Sequence, residues 1–280
     1  MKNLKVLAIC AITAGMITSC QKNDVSEETQ PETSVELTDV QKKELNNAGV
    51  NWLDAKIETF EHPDGTSEEV ILASNDIALN LENLMSGKYS LETQDNGNKA
   101  YRTNNLVSRN RRISIIGYTG SGFALTSKMR TALQWAVNNY NRLSGVSISF
   151  DLRFAAATNA DMVVYNNGQA GGGGSAGFPR GGFPHKFIQI NAGTDRYDTN
   201  VIEHVITHEI GHSVGFRHQD WRTRQSCGQN ANEGAAGVGA IFVPGTDGRN
   251  GAPSIMRACF SANEDGEFKQ QDIVALQYMY

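Results

Sequence analysis

The stretch HEIGHSVGFRH, residues 208 to 218, holds three of the chain's six histidines within eleven residues. On a helix, His208 and His212 are four apart and share one face, a turn apart. That spacing suits two ligands on one metal. Glu209, next to the first histidine, points partly aside and can reach a metal-activated water without taking a coordination site. Gly215 tolerates the left-handed conformation that ends a helix and turns the chain. His218, three residues further, can then return to the metal from another side. Three neutral imidazoles leave the fourth tetrahedral position open, as a catalytic zinc site requires. Adding Gly215 and His218 to the bare His-Glu-x-x-His pattern lowers its chance occurrence to the order of one in 10⁵.

The chemistry this predicts is hydrolysis. Zinc lowers the pKa of a bound water from about 15.7 to about 7. Glu209 would take the proton as general base and deliver it to the leaving amine. Each imidazole should donate its other N–H to an acceptor that fixes its tautomer; Asp220 and backbone carbonyls are candidates. Asp220 is also the next residue that could close the site as a fourth ligand. His204, one turn before His208, reads as a packing or supporting residue, and His62 and His185 as non-ligands.

Several elements must position these groups. NVIEHVITHEIGHSVG reads as the ligand-bearing helix and SKMRTALQWAVNNYNRL, 127 to 143, as an amphipathic one. ISIIGY, SISFDLRF, DMVVYN and KFIQIN read as strands, and EFKQQDIVALQYMY as a C-terminal helix. The glycine-rich stretch within 168 to 182 has no GK[ST] and no strand–GxGxxG–helix context. It reads as a flexible loop beside the site. The fold class expected is a mixed α/β (α+β) domain, with a twisted mixed sheet, the active-site helix and a smaller irregular C-terminal lobe. Before it, LTDVQKKELNNAG reads as a helix capped by Thr38 or Asp39 and ended by Gly49. AKIETF and EEVILAS read as strands around the turn HPDGTS, and NDIALNLENLMSG as a second helix. RNRR, 109 to 112, reads as a solvated linker or, in the sharper reading, a processing site.

The first twenty residues stand apart. Lys2 and Lys5 precede an apolar run and the box ITSC, so 1–19 reads as a secretory signal. It resembles a bacterial lipoprotein signal, in which Cys20 is lipidated. Residues 20–34 read as a flexible acidic tether, 35–109 as a pro-segment-like domain and 110–280 as the metal domain. The expected location is the cell envelope, lipid-anchored at the outer membrane or surface, or secreted. In that disulfide-permissive setting Cys227 and Cys259 are expected to pair, the alternative being two free thiols. A net charge of −5 leaves no electrostatic footprint for nucleic acid.

HEIGHSVGFRH resembles the extended zinc motif of the metzincins, metallopeptidases with a methionine turn beneath the metal. SIMRA, 254 to 258, offers Met256 for that turn. With FRHQDW, the cysteine after it and the PGT…SIM…C stretch, the likeness narrows to the dual-action HEIGH metallopeptidases, the family of myxobacterial protease B. It runs from about residue 101 to 259. The resemblance implies a zinc peptidase made as a precursor, with endopeptidase and aminopeptidase activity. It also implies that an extended peptide or protein substrate adds to a sheet edge before the zinc helix, with KFIQIN, 186 to 191, as the candidate edge. Ala258 departs from the tyrosine that several metzincins place there. No cysteine lies between Cys20 and Cys227, which excludes a cysteine latch; an acidic residue such as Asp76 could cap the zinc instead. Two other functions fit the motif: a surface binding lipoprotein with a structural zinc, and a zinc hydrolase of a non-peptide amide.

Overall fold

The computed structural model describes residues 36–89, 93–94, 100–235, 238–246 and 252–280. The signal, Cys20 and the acidic tether lie outside the described residues. In chain order the elements are α1 (Asp39–Asn47), β1 (Lys56–Glu61), β2 (Ser67–Ala73), β3 (Ile77–Asn80), α2 (Leu81–Met85), β4 (Thr93–Gln94), β5 (Tyr101–Arg102), β6 (Arg112–Tyr118), α3 (Ser127–Asn141), β7 (Ser149–Ala155), β8 (Met162–Asn166), β9 (Gly174–Ala176), β10 (Phe187–Ile190), α4 (Thr199–Ser213), β11 (Phe216–Arg217), β12 (Ala240–Phe242) and α5 (Gln270–Met279).

Eight strands form one mixed sheet in the order β1-β2-β3-β9-β10-β8-β6-β7. Strands β10, β8, β6 and β7 run parallel, and β9 is antiparallel to β10. The hairpins β1–β2–β3 extend the sheet beyond β9, with β3 parallel to it. A small second sheet, in the order β11-β5-β12-β4, joins β11 and β12, which follow α4, to β5 and β4, which precede β6. Among the described residues no helix is long and apolar enough to cross a membrane.

Helices α3 and α4 pack on each other. Met129, Leu133, Ala136, Val137 and Tyr140 of α3 meet Ile202, Val205, Ile206 and Ile210 of α4 in the larger core. Helix α4 is buried from Val201 to Ser213, the mark of a helix inside a core and not on its surface. A second, smaller core lies in the N-terminal segment, with Leu45, Val50, Ile71, Ile77, Leu79 and Leu84 at its centre. Helix α1 carries a full capping box between Thr38 and Gln41, in line with its sequence.

Four expectations change. Residues 77–80 of the expected second helix are a strand, because Ile77 and Leu79 alternate into the small core while β2 and β9 take the backbone bonds. The glycine-rich loop contains strand β9. KFIQIN is an interior strand, bonded on both sides by β8 and β9, so it is not the edge. RNRR is not a free linker: Arg109 donates to the Tyr278 carbonyl, Arg111 and Arg112 pair with Asp161 and Asp151, and Arg112 begins β6.

Candidate metal centre

Helix α4 presents His208 and His212 on one face, and the chain then reverses. Gly215 adopts φ +112°, a left-handed conformation that a side chain would strain. The following strand β11 carries His218 back. The three rings close into a triangle, with centroids 4.7, 4.8 and 5.2 Å apart. The Nε2 atom of His218 stands 3.2 Å from Nε2 of both His208 and His212.

Each outer nitrogen is committed elsewhere. His208 Nδ1 donates to the Ile255 carbonyl at 2.8 Å and His212 Nδ1 to the Phe216 carbonyl at 2.9 Å. His218 Nδ1 lies 2.6 Å from the Glu233 carboxylate. With the protons on Nδ1, three Nε2 lone pairs face one another in a buried space. Lone pairs so placed repel unless a cation sits among them, and orienting acceptors of this kind are what metal-bound histidines use. Asp76 and Glu209 bring two carboxylates to the same place, and each keeps one buried oxygen with no partner. Three neutral imidazoles and two carboxylates balance a divalent ion. The donor set fits zinc, which takes nitrogen and oxygen ligands in tetrahedral sites.

Electrostatics agree with that reading. Burial, then the neighbouring imidazoles, holds His212 well below the usual histidine range, in its neutral ligand form. Burial and the Asp76 charge hold the Glu209 carboxyl well above the usual range. Burial pushes His218 down, but Asp76 and Glu233 outweigh it and favour a positive charge at that ring. A metal satisfies the same demand when it displaces the proton.

Asp76 joins His208, His212 and His218 in one group whose ligand atoms all lie within 4.8 Å of one another. Its Oδ2 is 2.9 Å from His218 Nε2 and 3.5 Å from His208 Nε2. Glu209 stands beside the group, with Gly174 of β9 against it. A Cβ on Gly174 would meet the Glu209 side chain at 2.9 Å and the Gln189 carbonyl at 2.6 Å. The glycine-rich loop therefore closes on the site because it lacks a side chain there. Beneath the ligands, Met256 packs on Gly211, where a Cβ would fall 2.5 Å from its sulfur. Buried Asp272, near the start of α5, holds that turn by accepting from Ser254 Oγ and the Ile255 N–H.

The remaining expected residues are accounted for. Asp220 supports no histidine and joins no metal group. It accepts from Ser226 and from the Ala258 N–H at 3.0 Å, pinning the segment after Met256. Cys227 and Cys259 are disulfide-bonded beside it. His204 lies on the wall of a cavity of about 230 Å³ that opens on His208 and Glu209. Burial holds it down to about 3. His62 bonds Tyr165 and Glu68, and neither it nor His185 belongs to the metal group. Sequence reasoning missed Glu233 and Asp272. Neither has a local signature: one lies in an irregular stretch, the other is an acidic residue in the first turn of a helix.

A family model described as dual-action HEIGH metallo-peptidase matches residues 71–280. Two solved structures of myroilysin are similar at 13% identity. One match covers 63% of this chain and 87% of that one at a TM-score of 0.38. The other covers 45% of this chain and 52% of that one, about half its length, at 0.31. No curated protein matches.

Proposed function

The chain belongs to the dual-action HEIGH metallopeptidase family, and on that premise we propose that it is an exported zinc peptidase, lipid-anchored at Cys20, with Glu209 as its general base. The observation that carries this is the triangle of Nε2 atoms with every outer N–H occupied, beside a buried carboxylate that has a free oxygen. Zinc supplies Lewis acidity at that point when bound.

The chain's own groups do the rest. His208, His212 and His218 would hold the ion, their tautomers fixed by Ile255, Phe216 and Glu233. Glu209 is held out of the ligand set and accepts the proton of the attacking water on its unpartnered oxygen. Raised by burial, it can hold that proton and return it to the leaving amine nitrogen. Met256 packs under Gly211 and keeps the ligand-bearing turn of α4 on a firm base. A peptide bound in extended form would present its scissile carbonyl beside Glu209.

One observation favours the reading of a structural zinc: Asp76 completes a set of four protein ligands. Glu209 separates the two readings, since a structural site has no use for a buried carboxylate with an unpaired oxygen. The test is zinc content and peptide hydrolysis of the chain beside its Glu209→Gln variant. The expected result is near-stoichiometric zinc in both and a loss of kcat of about 10²- to 10⁴-fold in the variant. Equal turnover in both would remove Glu209 from the reaction.

A further inference from the structure

The basic run at 109–112 plays no part in the metal centre, and the structure joins it to an exposed aromatic tip. The loop between β9 and β10 folds back on itself at residues 180–183, where Arg180 and Phe183 exchange backbone hydrogen bonds. Gly181 and Gly182 take positive φ there, at 60° and 80°, and Pro179 and Pro184 restrict the chain on either side. The result is a stiff tip that leaves Phe183 54% exposed. The Ser108 N–H donates to the Gly182 carbonyl at 3.0 Å, and the Arg111 guanidinium lies 3.9 Å from the centroid of the Phe183 ring. Arg109 donates to the carbonyl of Tyr278, which is itself 46% exposed. Tip, basic run and the end of α5 thus make one continuous patch.

Charge sets this patch apart from the rest of the chain. The whole sequence carries a net charge of −5, yet here Arg111 and Arg112 are paired with Asp161 and Asp151, and Arg109 and Arg180 are added to them. Those last two form no ion pair among the described residues. An exposed phenylalanine on a stiff tip contributes nothing to the core. Beside guanidinium groups that no acid neutralises, it has the chemistry that peripheral proteins set into the boundary between lipid headgroups and acyl chains.

We propose that the tip at 180–183 and the cations of 109–112 form a docking surface for an anionic lipid bilayer, with Phe183 in the headgroup boundary and the arginines on lipid phosphates. This rests on the exported, lipid-anchored reading and adds an orientation to it. Residues 20–34, fully extended, span about 50 Å at most. A tether of that reach keeps the chain near a surface without choosing the face that meets it, and its own net charge is negative. The patch supplies the choice. The cavity over Glu209 is lined by Gly172 and Gly173, at the opposite end of β9 from the tip. A membrane under the tip therefore leaves that cavity open to the aqueous side.

The test is co-sedimentation of the signal-free chain, residues 20–280, with vesicles of phosphatidylcholine alone or mixed with phosphatidylglycerol. Cys20→Ser removes the attached lipid, so the result does not depend on the anchor, and Ser34–Tyr280 form one compact unit by themselves. The expected result is binding to the mixed vesicles only, weakened by added salt as the surface attraction is screened. Arg109→Gln and Arg180→Gln should each lower the partition coefficient about five-fold, the factor that one basic residue contributes near an anionic surface. Phe183→Ser should lower it about ten-fold through lost apolar burial. Lys43→Gln, which removes an exposed cation on α1, should leave it unchanged, and hydrolysis of a soluble peptide should be equal in every form. No binding to the mixed vesicles, or equal losses from Lys43→Gln and Arg180→Gln, would overturn the docking surface. So would retention on soluble dextran sulfate without vesicle binding, which assigns the patch to an anionic polymer. Vesicle binding that follows the patch, in a chain that hydrolyses no peptide, would keep the surface and sink the peptidase reading instead.

Discussion

The metal centre takes its groups from two regions of different construction. Helix α4 and the turn after it supply three imidazoles and Glu209 from eleven consecutive residues. They are fixed by a large core, by the disulfide-linked lobe and by the Asp272 bonds beneath Ile255. The N-terminal hairpin supplies one carboxylate. It comes from 132 positions before His208 and is held by a small core, a strained turn and the hydrogen bonds of Arg224. The difference is between a part fixed by a large core and a covalent bridge and a part held by a small core and hydrogen bonds.

The sharpest way to probe the permanent side is to remove its covalent tie. The Cys227–Cys259 bridge closes a loop with a sequence separation of 32 that contains Glu233 and Met256. Replacing both cysteines by serine should cost about 3 to 4 kcal/mol in the chain-entropy model. Thermal or urea unfolding of the zinc-loaded variant beside the parent chain measures it. A loss under about 1 kcal/mol would mean that the lobe is held by its hydrogen bonds, and that the two regions are more alike than their construction implies.

Glu233 sits where the regions meet. It holds His218, and it lies near both Arg217 and Arg224. In Glu233→Ala both the acceptor and its charge go. Losing the partner of a metal-bound histidine typically costs about 10- to 100-fold in metal affinity. Zinc affinity by competition with a chromogenic chelator should fall by that factor, with Glu209 chemistry unaffected in its pH profile. An unchanged affinity would show that Phe216 and Ile255 suffice to orient the site.

The same contrast explains what was legible in the sequence. The α4 chemistry is local: ligand, base and helix stop follow from spacing within one stretch, so residues 208 to 218 could be read before any fold was known. Strands β6, β8 and β10 were legible as short apolar runs, and α1 from its candidate caps Thr38 and Asp39 and the glycine that ends it. Strand β9 was not. Its three residues GSA have no period, and they form a strand because β10 and β3 offer hydrogen bonds from elsewhere in the chain. The interior position of KFIQIN was hidden for the same reason. Residues 77–80 were read as helix because four residues cannot separate a period of 2 from one of 3.6. Glu233 reaches His218 across fifteen residues and Asp272 reaches Ile255 across seventeen. Such pairs are set by packing, which spacing does not encode. Asp76 could be raised only as one acid of a segment that precedes the site.

The mildest test separates the regions without touching either site. Thr38 accepts from the Gln41 N–H at the start of α1, and losing such a cap costs about 1 kcal/mol. If the N-terminal segment opens on its own small core, Thr38→Ala should speed amide exchange roughly five-fold across α1 and the β1–β2 hairpin, since that ratio corresponds to about 1 kcal/mol of local opening. The amides of α3 and α4 should exchange at their original rates, because their protection draws on the larger core. A matched acceleration in α4 would mean that the two cores unfold as one cooperative unit. The contrast between a region on its own small core and one on the large core would then collapse.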